Sequence, residues 1–191
     1  PSSAILYNME GAVAASNGDP KKAIASYSKA IQLQPNYYKA MDNCGKLYLE
    51  NGQFEKALEL FQRSILIHPE NENALLGLAL ISAHENRLSD AINFYQEIIK
   101  LFPSHERALH DIGAIYLIEG DYETATRYLE NLYNISSKSI SGLVNYATAL
   151  SAIGQTDRAI KLYHEAVEVG AEVEECCYSI CVSLERTNQL T

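Results

Sequence analysis

Residues 38–71 read YKAMDNCGKLYLENGQFEKALELFQRSILIHPEN. Met41, Cys44, Leu47 and Tyr48 recur at helical spacing, and so do Ala57, Leu58, Phe61 and Ile65. Gly52 stands between the two sets and stops the first helix. Pro69 follows the second and prevents its continuation. The stretch therefore predicts a helix over 38–51, a tight turn, and a second helix over 54–67. Gly45 and Ala57 are small enough to let the two backbones cross closely, with Phe61 beside the crossing.

The same pattern recurs on both sides at a step of 34 residues. Ala23, Ala57, Ala91, Ala125 and Ala159 keep that step. So do Gly18, Gly52, Gly120 and Gly154, with Asn86 and Asn188 in the remaining places. Asn replaces Gly where φ must be positive, so these exceptions fit the turn. Pro35, Pro69 and Pro103 repeat, as do the small residues Gly11, Gly45, Ala79, Gly113, Ala147 and Cys181. A bulky position recurs as Tyr27, Phe61, Tyr95, Leu129 and Tyr163. Asp19-Pro20 reads as an N-cap followed by proline at the first helical position. Each unit is thus a helix, a turn and a second helix.

The pattern resembles the tetratricopeptide repeat family. The first unit carries Tyr7, Gly11, Gly18, Ala23, Tyr27, Ala30 and Pro35. The second carries Gly45, Tyr48, Gly52, Ala57, Phe61 and Pro69, and the fourth Leu109, Gly113, Tyr116, Gly120 and Ala125. The resemblance covers the whole chain, 1–191, as one array. Its units are 4–37, 38–71, 72–105, 106–139 and 140–173, with a half unit 174–191. The fold expected is all-α, a right-handed α-solenoid of antiparallel helix pairs with a concave inner face. Departures from the pattern are expected to matter locally. Ser137 and Ala171 stand where proline is expected, so those junctions should be less sharply set. Ser136-Ser137-Lys138-Ser139 reads as the flexible joint. Ile98 and Leu132 replace the small residue seen as Ala30, Ser64 and Ala166, so packing there should be adjusted. The break in the last unit and the start at Pro1 read as a piece of a longer protein, with an apolar flank of Cys177, Ile180 and Leu184 left uncovered.

By resemblance, the first helix of each unit lines the concave groove, where a peptide or a partner helix binds. The residues expected there are Ile5, Asn8, Met9 and Ala12 in unit one, and Lys39, Asp42, Asn43, Lys46 and Leu49 in unit two. Unit three gives Asn73, Leu76, Gly77 and Leu80, and unit four Arg107, His110, Asp111, Ala114 and Leu117. Unit five gives Ser141, Val144, Asn145 and Thr148, and the last helix Glu175, Tyr178 and Val182. Leu76, Leu80, Ala114, Leu117 and Val144 form an apolar stripe rimmed by polar groups, the mark of a binding surface. The competing reading buries the stripe under a neighbouring helix. The clamp that holds acidic chaperone tails is not expected. It needs Lys and Asn on the first helix, Asn on the third, and Lys and Arg on the fifth. Those places carry Asn8 and Ala12, then Asn43, then Asn73 and Gly77, so only Asn43 matches. The register one unit later (Asp42 and Lys46, Gly77, Arg107 and Asp111) also fails, which leaves a carboxylate too few cations to pair with. An asparagine ladder like that of O-linked N-acetylglucosamine transferase is broken, reading Met9, Asn43, Gly77, Asp111, Asn145 and Ser179.

Composition narrows the function further. The 191 residues carry 15 Lys+Arg against 24 Asp+Glu, a formal charge of −9, which argues against nucleic acid as the main partner. Apolar residues at 47% and charged residues at 20% suit a folded chain. The longest apolar run, 74–83, is half of the ~20 residues a membrane span needs. No secretory leader is visible at the N-terminus. Cys176, Cys177 and Cys181 crowd into six residues and Cys44 is remote, which is not the spacing of a disulfide framework, so they read as free thiols in a reducing, cytoplasmic compartment. Zinc would need three or four convergent ligands, and Cys176 points away from Cys177 and Cys181. No metal, cofactor or catalytic residue is expected. His68, His84, His105, His110 and His164 have no nucleophile in an evident set, and His110 and Asp111, about 100° apart on a helix, are not expected to form a dyad. The chain is expected to be a non-catalytic protein-interaction scaffold. The alternatives are a substrate-recruiting region of a larger enzyme and a self-associating module.

Overall fold

A computed structural model describes residues 2–136, 139–174 and 176–180. Those residues are helical throughout, with short turns and no strand. Tertiary contacts group the chain into two compact units, Pro1–Leu101 and Phe102–Thr191.

The first unit holds α1 (Ser2–Ser16), α2 (Pro20–Leu33), α3 (Tyr38–Glu50), α4 (Phe54–Ile67), α5 (Glu72–His84) and α6 (Leu88–Leu101). Consecutive helices pair as α1 with α2, α3 with α4 and α5 with α6. The pairs stack through α2 on α3 and α4 on α5, with α3 beside α5. The second unit repeats this with α7 (Glu106–Glu119), α8 (Tyr122–Ile135), α9 (Ile140–Ala152) and α10 (Thr156–Val169). There α7 pairs with α8 and α9 with α10, α8 packs on α9, and α7 lies beside α9. Helical residues resume at 173–174 and 176–180.

Local chemistry explains the boundaries. Gly18, Gly52, Gly120 and Gly154 take φ between 70° and 81°, and Asn86 takes 58° in the same turn. Asp19 caps α2 by accepting the Lys22 N–H at 3.0 Å, with Pro20 at the first helical position. Asp121 caps α8 through Thr124 N–H, and His105 caps α7 through its Nδ1 and the Ala108 N–H. Ser139 Oγ accepts the Gly142 N–H and caps α9. Ala171 stands in place of proline, yet Gly170 ends α10 sharply. It takes φ 119°, and the Ala171 N–H returns to the Ala166 carbonyl at 2.8 Å. Ser137, Lys138, Glu175, Cys181, Val182, Leu184 and Asn188 lie outside the described residues.

The core runs between the helices. Ala23, Ala57, Ala91, Ala125 and Ala159 are fully buried, and so are the bulky residues Tyr27, Phe61, Tyr95, Leu129 and Tyr163. The glycine at 45 answers to that bulky residue rather than to a backbone crossing. A Cβ there would lie 2.9 Å from the Phe61 ring, and one on Gly11 would lie 2.6 Å from Tyr27. Leu132 shows how the repeat absorbs a larger residue. Its opposite number on α9 is Gly142, where earlier units carry Ala40, Ala74 and Ala108, and a Cβ on Gly142 would stand 3.0 Å from Leu132 Cδ2.

Candidate functional site

The first helices of each unit present the residues of interest. In the first unit α3 carries Asn43 and Lys46, and α5 carries Leu76 and Leu80. Asn43 and Lys46 share a stripe of α3 because their spacing returns nearly to one azimuth. Asn43 is half-buried, and its Nδ2 donates to Asn8 Oδ1 on α1 at 3.1 Å. Lys46 is exposed and sits 3.9 Å from Glu50, a surface pair that contributes little. Leu76 and Leu80 are half-buried, outside the closed core.

Two neighbours on these helices do not belong to the surface. Gly77 is buried, and a Cβ there would meet Phe61 Cε2 at 2.3 Å. Asp42 is only 5% exposed. Its carboxylate accepts from Ser64 Oγ at 2.6 Å and from Asn71 Nδ2 at 2.8 and 3.0 Å, and Asn71 Nδ2 also reaches Ser64 Oγ. The phase that places Asp42 on the groove therefore fails. Polar partners on α4 and before α5 turn the side chain inward. Burial pushes its carboxyl above the ordinary range, and the hydrogen bonds from Ser64 and Asn71 and the charge at His68 only partly offset this.

In the second unit α7 carries Arg107, His110, Ala114 and Leu117, and α9 carries Val144 and Asn145. Arg107 Nε donates to Asp111 Oδ2 at 3.0 Å. His110 Nδ1 lies 2.9 Å from Asp111 Oδ1, so the two adjacent residues do pair. The angular separation applies at the helix surface, whereas these side chains are long enough to bend toward each other. The ionised carboxylate only accepts, so Nδ1 carries the proton. In the neutral ring Nε2 then accepts the Asn145 amide on α9, at 3.4 Å. Burial alone would raise the Asp111 carboxyl. The hydrogen bonds from His110 and Arg107 and the charge of Arg107 outweigh it and hold the group below its usual value.

Arg107 and His110 are thus brought together at Asp111, and Asn145 reaches the far nitrogen of His110. Arg107 and His110 also line a pocket of about 350 Å³ with Glu106, Leu132, Ser139 and Ser141. Ala114, Leu117 and Val144 are half-buried. Among the described residues no cluster of His, Cys, Asp or Glu could hold a metal ion, and no helix is long and apolar enough to cross a membrane. Cys44 and Cys176 are buried thiols and Cys177 is an exposed one, and none of the three is in a disulfide. Sequence reasoning missed the Asp42–Ser64–Asn71 cluster. Its visible signal was a serine at 64, where the other units carry the apolar Ala30, Ile98, Leu132 and Ala166.

No curated protein matches the chain by sequence. Solved structures resemble it over nearly its whole length. A MamA protein shares 23% identity and a TM-score of 0.77, covering 87% of this chain and 91% of that one. A tetratricopeptide repeat protein from Parabacteroides merdae ATCC 43184 shares 18% identity and a TM-score of 0.80, covering 99% of this chain and 76% of that one. YrrB, described as a TPR protein with an unusual peptide-binding site, shares 16% identity and a TM-score of 0.77, covering 92% and 91%. Identities this low speak for the fold. Tetratricopeptide repeat models match residues 14–67, 45–106 and 104–178 in succession. With the helix pairs at a 34-residue step, these matches place the chain in the tetratricopeptide repeat family.

Proposed function

We propose that the chain is a non-catalytic interaction scaffold whose first helices, acting as a single array, receive a peptide or helix of a partner protein. The observation that carries this reading is made in each unit by itself: Leu76 and Leu80 on α5 of the first, and Ala114 and Leu117 on α7 with Val144 on α9 of the second, are half-buried apolar residues outside the closed core. The same sets of first helices carry Asn43 and Lys46 in the first unit and Arg107, His110 and Asn145 in the second. Apolar contacts would supply affinity, and the amides of Asn43 and Asn145 would bond the backbone or side chains of the segment. A solved relative described as having a peptide-binding site adds support. The negative net charge favours a protein over a nucleic acid, and free thiols fit a reducing, cytoplasmic setting.

The experiment is affinity capture from a host lysate, read by mass spectrometry. The native chain is run beside a Leu80→Asp, Leu117→Asp double variant of unchanged helix content. A protein held by the native chain and lost from the variant is the expected result. An identical captured set from both would overturn this reading.

A further inference from the structure

Three junctions show how a first helix receives the second helix before it. Ile24, Tyr27 and Ile31 on α2 share an apolar cluster with Cys44 and Leu47 on α3. One repeat step on, Leu58, Phe61 and Ile65 on α4 cluster with Ala74, Leu78 and Ile81 on α5. In the second unit the Tyr133 ring on α8 lies 5.9 Å from that of Tyr146 on α9. The covering helix thus offers apolar residues at i, i+3 and i+7, one face of a helix. A fourth place, at i+4, is polar. Ser28 hydrogen-bonds the Cys44 thiol there. Three steps on, Glu130 Oε1 accepts the Tyr146 hydroxyl at 2.9 Å, and Arg158 donates to that hydroxyl at 2.7 Å. The residue at i+4 therefore answers the middle position of the helix it covers.

On α1 the same face is open. One step before Ala40, Cys44 and Leu47 stand Leu6, Glu10 and Val13. All three are exposed, Leu6 by 65% and Val13 by 59%, whereas Ala40, Ala74 and Gly142, which share the place of Leu6, are buried. Glu10 is the one charged residue of α1, and it holds the middle position of the open face. That charge bears on what covers the face. A two-fold pairing of α1 with a second copy, centred on this face, would set Glu10 against Glu10. The chain's own second helices carry Ser28, Gln62, Gln96, Glu130 and His164 at the answering place, none of them a permanent cation.

We propose that the open face of α1 binds an amphipathic helix of a partner protein, with apolar residues at i, i+3 and i+7 over Leu6 and Val13 and a Lys or Arg at i+4 paired with Glu10. The chain's own α2 on α3 and α4 on α5 are the templates for the fit. Affinity comes from covering Leu6 and Val13, and selection comes from the charge that Glu10 demands. The face is separate from the row of Leu76 and Leu80 and does not depend on it.

The probe is a peptide of the α2 sequence, residues 20–34, with Ser28→Lys and a staple across the outward positions 25 and 29, since a helix this short is marginal alone. It is titrated into the full chain with carbon-13-labelled methyl groups. Saturable shifts at the Leu6 and Val13 methyls are expected, with the Ser28→Glu peptide about three- to ten-fold weaker. Glu10→Lys in the chain should reverse that order, and because Glu10 is exposed the helix should be unaffected. Leu6→Asp with Val13→Asp should abolish binding of both peptides; if that variant loses helix content, the charge exchange at Glu10 decides. The Leu80→Asp, Leu117→Asp variant should bind as the native chain does. Absence of saturable shifts, equal binding of the two peptides, or an order unchanged in Glu10→Lys would overturn the proposal. So would shifts at Leu6 and Val13 that grow with the chain's own concentration and no peptide, which would give the face to a second copy.

Discussion

Phe61 is clamped by hydrogen atoms on two helices. Gly45 on α3 and Gly77 on α5 both face its ring, and a methyl on Gly77 would sit 2.3 Å from Cε2. The ring is 2% exposed and has nowhere to retreat. Gly77→Ala should therefore cost about 1–3 kcal/mol, the price of overpacking a filled core. A lowered urea midpoint with unchanged slope would register it, and an unchanged midpoint would mean the ring repacks freely. Gly45 was legible because small residues recur at its phase. Gly77 was not, because its counterparts are Met9, Asn43, Asp111 and Asn145 and only the size of Phe61 demands a glycine there. The His110–Asp111 pair escaped for a related reason: helical phase locates a Cβ, while the hydrogen bond depends on how the side chain turns beyond it.

Between elements, a buried polar joint forms at the carboxylate of Asp42, which ties α3 to Ser64 on α4 and to Asn71 at the head of α5. Its carboxyl holds a proton more tightly folded than unfolded, because burial disfavours the charge. The native state therefore binds more protons through the window above the ordinary carboxylate range. This contribution to stability is complete below about pH 4 and is lost as pH rises through the raised value. Wild type should lose ground to Asp42→Asn as pH is raised from 4 toward 8, measured as urea midpoints by circular dichroism. Parallel curves would show that this proton is not linked to folding. Helix identity and turn chemistry were readable from the 34-residue step, since Gly, Pro and Ala report directly on backbone and close approach. Which polar side chain turns inward was not, because that choice depends on partners contributed by other helices.

At the scale of the molecule, helices contact mainly their own partner and the next pair, and contacts group Pro1–Leu101 together. Nearest-neighbour stabilisation of this kind lets part of an array fold without the rest. A chain of residues 1–101 should keep helical circular dichroism and unfold cooperatively in urea. A featureless, non-cooperative spectrum would show that this unit depends on the remainder. The candidate groove residues were placed by helical phase alone, and the turns at Gly18, Gly52, Asn86, Gly120 and Gly154 were legible from residue types that tolerate positive φ. The side-chain pairings were not, because Asn8 with Asn43 and His110 with Asn145 join residues 35 apart.

Tyr146 makes the repeats historically unequal. Its hydroxyl draws on Glu130 from the preceding repeat and Arg158 from its own, whereas Asp42, Ser64 and Asn71 all fall within 38–71. Unequal recombination that duplicates 38–71 copies a complete joint. A deletion of 106–139 takes Glu130 away and sets Gln96 in its place before an unchanged Tyr146. Some repeats of this array can be inherited as cassettes, and others only together with the neighbour that completes them.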